Sequence, residues 1–559
     1  MSTQALSYSH GASDVPLLGE TIGANFDRTV ARFPDRPALI SCQQGIRWTY
    51  RELAAKVDTF AAGLLALGLQ PGERVGIWSP NNAEWIVTQF ATAKAGIILV
   101  NINPAYRLSE VEYALNKVGC RALITATRFK TSDYMGMVNA LAPELARSRP
   151  GHLDCAKLPH LRAVIQIGGA DPGAIPFDAV YNSDTSKLTE IGAKLQFDDP
   201  INIQFTSGTT GLPKGATLTH HNILNNGFFD GEMMHYTEQD KVCIPVPMYH
   251  CFGMVIGALA CSTHGAAIVF PGEGFDPLAT LQAVANERCT SLYGVPTMFI
   301  AELDHPDFRK FDLSSLRTGM MAGAPCPIEV MNRCVRDMNL TEMTIGYGMT
   351  ETSPVSTQTA IGDPIEKQTG SVGRVHPHAE IKIVDTEGRI VPRGERGELC
   401  TRGYCVMLGY WDDPEKTADA IDKNGWMHTG DLATMDEDGY FNIVGRIKDM
   451  VIRGGENIYP REIEEFLYRH PAIQDVQVFG VPDKRFGEEL CAWIKVRAGS
   501  NLTAEGVKEF CAGQIAHYKV PRYIKFVDEF PMTVTGKMQK FVMREQMTTE
   551  LGVAPAATA

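Results

Sequence analysis

A surplus of positive charge is missing from this sequence: 52 Lys and Arg stand against 65 Asp and Glu, a formal net charge of −13. That excludes the broad basic face that nucleic-acid binding needs. It does not exclude small phosphate ligands, which local cations and backbone N–H groups hold even in an acidic protein. Paired cysteines are missing as well. The thirteen Cys are odd in number and scattered, with no CxxC. Reduced thiols are the reading, and with no basic segment followed by an apolar stretch over residues 1–23, the expected location is cytoplasmic. No apolar run reaches the roughly 20 residues of a membrane span. The best candidate, Val242 to Phe270, is broken by Pro245, Pro247, His250 and His264. Its clean part, Cys251 to Cys261, reads as a buried helix or pocket wall; transient membrane contact is left open. Internal repeats and low-complexity tracts are also lacking.

What is present points to several packed units, because 559 residues exceed the roughly 250–300 at which one core stops growing. The opening ~20 residues are polar and expected to be mobile. Strand and helix signals then alternate. Thr49-Tyr-Arg-Glu52 is a capping box opening an apolar run to Leu67. Arg74 to Trp78 reads as a strand, Asn82 to Lys94 as a helix and Ile97 to Val100 as a strand. Ser109-Glu-Val-Glu112 starts another capped helix. The pattern implies an α/β domain of mainly parallel, helix-covered sheets over 1–447. Past Gly445-Arg-Ile-Lys-Asp449 the pattern becomes α+β. Pro460 begins a helix to about His470, Val476 to Val481 and Leu490 to Val496 are strands, Ala504 to His517 is a helix, and Tyr523 to Val527 is a strand. Residues 448–559 are thus expected to form a small second domain.

The string Thr206-Ser-Gly-Thr-Thr-Gly-Leu-Pro-Lys-Gly215 carries the strongest chemical signal. It follows a strand, Ile201 to Phe205. Gly208, Gly211 and Gly215 allow close approach of backbone to a ligand. The hydroxyls of Thr206, Ser207, Thr209 and Thr210, with backbone N–H groups, suit phosphate oxygens, and Lys214 adds a cation. Pro213 before that lysine rules out a Walker A loop, which requires Gly there. Isolated Gly/Ser/Thr stretches are usually polar turns; the full string is not generic. It resembles the phosphate loop of the adenylate-forming (AMP-binding) superfamily, in particular acyl-CoA synthetases of the medium-chain fatty-acid type. Further motifs follow in that family's order over nearly the whole chain.

The resemblance implies the remaining roles. Tyr347-Gly-Met-Thr-Glu351 resembles the motif whose Tyr347 stacks on adenine, with Gly348 and Met349 beside the nucleotide, Thr350 on the α-phosphate and Glu351 holding Mg²⁺. Gly323, Ala324 and Pro325 resemble the strand end lining the adenine pocket. Asp431, in Thr429-Gly-Asp431, matches the acceptor for both ribose hydroxyls, and Arg446 matches a ribose or phosphate contact. Lys448 occupies the hinge position. Gly454 and Gly455 match the place where backbone meets the pantetheine arm of coenzyme A, although two glycines also suit a tight turn. Lys537, in Pro531-Met-Thr-Val-Thr-Gly-Lys537, matches the lysine that reaches the α-phosphate and carboxylate. His250 borders the acid site as a gate or carboxylate-orienting group, or else is a satisfied core histidine. Gly253 and Gly257, four apart on one helix face, leave room for an alkyl chain, though close helix packing gives the same spacing.

The implied activity is an ATP-dependent acid–CoA ligase that forms acyl-AMP, then acyl-CoA, with ATP, Mg²⁺ and coenzyme A as cofactor and co-substrates. A medium-chain fatty acid is the expected small-molecule partner. An aryl- or short-acid ligase, a module loading a carrier protein, a luciferase-like oxygenase and a nucleotide-sensing non-enzyme are the alternatives. Oligomeric state is open between monomer and homodimer.

Overall fold

The computed structural model describes residues 5–206, 212–454, 456–533 and 536–553. Runs without polar alternation, such as Arg74–Trp78 and Ala122–Ala126, lie parallel in a sheet buried on both faces, as such runs must. That sheet has eight strands. From one edge they are Ile175–Pro176, Ala163–Ile167, Ala122–Ala126, Arg74–Trp78, Ile98–Asn101, Pro200–Thr206, Lys214–Thr219 and Gly409–Tyr410. A second sheet has nine strands, parallel from Pro37–Ser41 through Ala267–Phe270, Lys241–Cys243, Ser291–Gly294 and Thr318–Met321 to Glu342–Gly348. One core cluster joins the two, with Val75, Ile77 and Leu99 of the first packed in the same cluster as Leu39 and Ile268 of the second.

Local signals place several helices well. Tyr50–Ala66 starts at the Thr49 capping box, and Ala83–Ala95 is capped by the Asn82 side chain on Trp85 N–H. The next helix begins earlier than its sequence signal, at Leu108. Glu110, not Glu112, reaches back, accepting from Arg107 N–H at 2.8 Å. The run Cys251 to Cys261 is a buried helix as expected, of π type over Phe252–Leu259, and no described helix is long and apolar enough to cross a membrane.

The expected mainly parallel sheets are joined by a third sheet of five antiparallel strands, Tyr8–His10, Ala379–Val384, Gly397–Gly403, Met427–Met435, Phe441–Arg446. One expectation needs correcting: the opening segment, expected to be mobile, is tied down, because Tyr8–His10 adds an edge strand opposite Glu380–Lys382. An edge strand is held mainly through backbone hydrogen bonds, which leave no signature in polar composition.

The last strand of that sheet ends at Arg446. A single 3-10 turn, Ile447–Asp449, leads to Val451–Arg453, which pairs in a separate sheet with Glu456–Ile458 and Gly487–Val496. Ile473–Asp483 and Tyr523–Phe526 complete it, with helices Pro460–Leu467, Ala504–Cys511 and Lys540–Glu550. This smaller C-terminal domain has its own core around Val476, Val478, Leu490 and Ile494.

Candidate active site

Thr206 and Lys214 are cross-strand neighbours, so the Gly/Ser/Thr string is the connection of an antiparallel hairpin. Ser207, Gly208, Thr209, Thr210 and Gly211 lie outside the described residues. The flanks converge on one carboxylate. Glu351 Oε1 accepts from Thr206 Oγ1 at 3.1 Å and from Tyr410 Oη at 2.8 Å. Lys214 Nζ donates to Tyr410 Oη at 2.9 Å and sits 4.0 Å from that ring's centre. Burial lowers the Lys214 pKa, partly offset by the Glu351 charge. Tyr410 was not read from the sequence. It reaches the site because Gly409–Tyr410 pairs with the strand after the loop, a contact between residues almost 200 apart.

Glu351 stands on a 3-10 turn, Thr350–Thr352, just past the strand Glu342–Gly348. Gly348 permits that turn, since a Cβ there would lie 1.8 Å from the Pro354 carbonyl oxygen. Thr350 is buried against the Cys251 thiol. Gly323, Ala324 and Pro325 follow the neighbouring strand Thr318–Met321, so both motifs emerge at the carboxyl ends of adjacent parallel strands. Such ends are where open α/β sheets bind ligands.

Tyr347 Oη donates to Asp431 Oδ2 at 2.8 Å, and Arg446 Nε to Asp431 Oδ1 at 3.1 Å. Asp431 and Arg446 face each other across paired strands of the antiparallel sheet. Burial and the Asp431 carboxylate push the Tyr347 phenol well above its ordinary range, so it stays a neutral donor. Upstream, Glu398 accepts from Gly430 N–H at 3.0 Å and pairs with His428 Nδ1 at 2.9 Å, fixing the turn that presents Asp431. Glu398, Cys400 and His428 are the one group among the described residues whose atoms could surround a metal. Glu398 already engages a neighbour with each oxygen.

Lys537 comes from the C-terminal domain. Its loop closes on itself, with Thr533 N–H on the Lys537 carbonyl at 2.8 Å and Gly536 N–H on the Thr533 carbonyl at 2.9 Å. Gly536 lets it press on the large domain: its φ is +77°, and a Cβ would come within 2.8 Å of Val295 and 3.2 Å of Thr297 Oγ1. The lysine keeps solvent-facing surface at the mouth of the cleft. Surrounding protein, and then the Arg446 charge, lower its pKa to about 8, against the pull of Asp431, Asp449 and Glu351. A cavity of about 530 Å³ lies against this loop, between Tyr249 and Met298 of one domain and Met532 and Met538 of the other.

His250 lies within electrostatic reach of Lys537. Burial and that ammonium depress its pKa to about 4, so the imidazole is neutral near neutral pH. Its Nδ1 accepts from Phe252 N–H at 3.2 Å, which leaves the proton on Nε2 as a donor. The glycines after it sit close to the segment that precedes the helix. A Cβ on Gly253 would meet the Pro247 carbonyl oxygen at 2.5 Å, and one on Gly257 would meet Ile244 Cδ1 at 2.9 Å. Both lie close against the preceding segment, as the close-packing alternative for this spacing expects. Lys448 is exposed in the interdomain turn. Gly454 has φ +59° in a two-residue hairpin connection beside Phe486, and Gly455 lies outside the described residues.

Fold and site together define a two-domain protein in which a lysine of the smaller domain lies near the buried carboxylates of the larger. Residues 26–411 match the AMP-binding enzyme family and residues 462–537 the AMP-binding enzyme C-terminal domain. The chain belongs to the AMP-binding enzyme family. Among its relatives, the mitochondrial medium-chain acyl-CoA ligase ACSF2 of Danio rerio is 50% identical over 99% of this chain and 92% of its own length. The Homo sapiens ACSF2 is 45% identical over 98% and 91%. Two solved structures share the fold. The anthranilate CoA ligase AuaEII in complex with anthranoyl-AMP has a TM-score of 0.84 at 27% identity, covering 97% of this chain and 99% of its own. ATP-bound MatB from Rhodopseudomonas palustris has 0.78 at 28%, covering 94% and 99%. The ACSF2 relatives overturn the cytoplasmic expectation, because their names place them in the mitochondrion. All thirteen cysteines are free, but free thiols report a reducing compartment and do not say which one.

Proposed function

We propose that this protein is an ATP-dependent acyl-CoA ligase acting on medium-chain fatty acids. The observation that carries the reading is the position of Lys537, a cation from the small domain within electrostatic range of Asp431, Glu351 and His250. In the first step a carboxylate oxygen attacks the α-phosphorus of ATP and pyrophosphate leaves. Lys537 offsets the negative charge driven together there, and the neutral His250 offers Nε2–H to the acid. Asp431 exchanges its Tyr347 and Arg446 partners for ribose hydroxyls, and the Tyr347 ring covers adenine. Thr206, Lys214 and Thr350 hold phosphate oxygens. Glu351, a buried carboxylate beside the phosphate hairpin, suits the Mg²⁺ that travels with ATP, a hard cation bound through one carboxylate, phosphates and water. In the second step the CoA thiol attacks the acyl carbonyl carbon and AMP leaves. Residues 448–559 rotate about Lys448 between the steps, bringing Gly454 and Gly455 to the pantetheine arm.

The chain-length reading rests on the relatives' names. It is tested by an ATP- and CoA-dependent assay across acids from acetate to octadecanoate with benzoate included. Acyl-CoA, AMP and pyrophosphate should form fastest with medium-length fatty acids. Benzoate or acetate outrunning every fatty acid would overturn the substrate, and nucleotide binding without pyrophosphate release would overturn the enzyme.

A further inference from the structure

Asp304 stands just past the helix Pro296–Leu303 of the large domain, on the element that also carries Thr297, against which the Lys537 loop packs. Two side chains of the small domain converge on its carboxylate. Arg497 Nη1 lies 3.1 Å from both oxygens, and Gln474 Nε2 donates to Oδ2 at 2.9 Å. Gln474 lies in the strand Ile473–Asp483 and Arg497 directly follows its partner strand Gly487–Val496, and Arg497 N–H on the Ala472 carbonyl at 3.0 Å holds them as one unit. A third group, Arg333 of the large domain itself, holds Asp304 Oδ1 at 2.7 Å.

This arrangement has the properties of a reversible catch. If the small domain leaves, Asp304 keeps Arg333, so no half-buried carboxylate is stranded, and Arg497 returns to solvent. Departure forfeits the interdomain bonds without the penalty of an orphaned charge. Other contacts also cross between the domains, among them Arg396 over the Tyr459 ring at 4.5 Å. The helix Ile328–Asp337 has no side-chain cap of its own, and Glu465 of the small domain stands 3.5 Å from Ile328 N–H, a contact at the limit of a hydrogen bond. Arg461 donates to the Ile443 carbonyl at 2.8 Å, but Ile443 lies on the strand that ends at the interdomain turn, close to the pivot. Asp304 follows the helix that carries Thr297, so its bond to Arg497 ties the small domain to the element against which the Lys537 loop packs.

We propose that Asp304, with Arg497 and Gln474, is the latch that holds the small domain in the orientation that delivers Lys537, and that its release admits the second half-reaction. The three are positioning residues: they touch no reacting atom and act through Lys537. The proposal rests on the ligase reading above.

The test separates the half-reactions. In Asp304→Ala and in Arg497→Ala, acid-dependent pyrophosphate release should fall by about fivefold to tenfold, the scale of a partly exposed, hydrogen-bonded interdomain ion pair. Acyl-CoA formation from preformed acyl-AMP should hold or rise. Asp304→Asn, isosteric and still a hydrogen-bond acceptor, should lose less. In a Lys537→Ala background, Asp304→Ala should cost nothing further, because the latch has no lysine left to place. Equal loss of both half-reactions, full additivity with Lys537→Ala, or unchanged pyrophosphate release would overturn the latch. Wild-type protein that releases no pyrophosphate with any acid would instead overturn the ligase reading, so the two failures are distinguishable.

Discussion

A lysine with its pKa lowered to about 8 carries its charge below that pH and sheds it above. If Lys537 acts as a cation in adenylation, kcat/KM for acid-dependent pyrophosphate release should fall as pH rises through about 8, since kcat/KM reports the free enzyme. His250, depressed to about 4, should add no limb near neutrality. A flat profile through pH 8 would remove the ammonium from the rate. Asp431 supports a second expectation. Both its oxygens are engaged, at 2.8 and 3.1 Å, by groups that ribose hydroxyls would replace. Asp431→Ala should lower ATP efficiency by about tenfold to a hundredfold, the range of a charged hydrogen bond, and should discriminate less against 2′-deoxy-ATP. An unchanged ratio of ATP to deoxy-ATP would detach Asp431 from the ribose. Asp431, Tyr347, Glu351 and Lys537 could be proposed from the sequence because each sits in a short local motif. Tyr410 and Glu398 were not, because their importance comes only from strand pairing with distant segments.

The buried π-helix Phe252–Leu259 carries two glycines whose four-residue spacing fits either an open groove or close packing. A Cβ at either would meet the segment before the helix, which favours close packing. Gly257→Leu should therefore cost stability, about 1–3 kcal/mol as for other overpacked cores, without shortening the preferred acid. Thermal unfolding and the acid profile of the variant check this, and a shortened preference at unchanged Tm would restore the groove. Helices with strong local caps, at Thr49 and Asn82, were read to within a residue. The antiparallel sheet over 379–446 and the final helix Lys540–Glu550 were not read, because their signals are distributed and their packing partners lie elsewhere in the chain. The turn Ile447–Asp449 leads to a second expectation at this scale. Lys448→Pro fixes φ near about −65° at the proposed pivot. Single-turnover pyrophosphate release should stay near normal while acyl-CoA formation drops. Equal loss of both would indicate misfolding, and no loss would move the pivot.

Across the whole molecule, two domains with separate cores meet at a cleft that neither completes alone. On the proposed reading the large domain supplies the nucleotide residues and His250, and the small one supplies Lys537. The order of the two domains was readable from sequence because the motifs that mark each are contiguous. The orientation of one domain on the other was not, because it depends on contacts such as Asp304 with Arg497, between residues almost 200 apart. The central claim is that Lys537 serves the first step and is absent from the second. It is tested by measuring both half-reaction rates on one purified Lys537→Ala variant. ATP-driven adenylation should fall by about 10²–10³, comparable to losing one preorganised electrostatic donor, while chemically made acyl-AMP should still be converted to acyl-CoA at close to the normal rate. Intact adenylation with lost thioester formation would contradict the account.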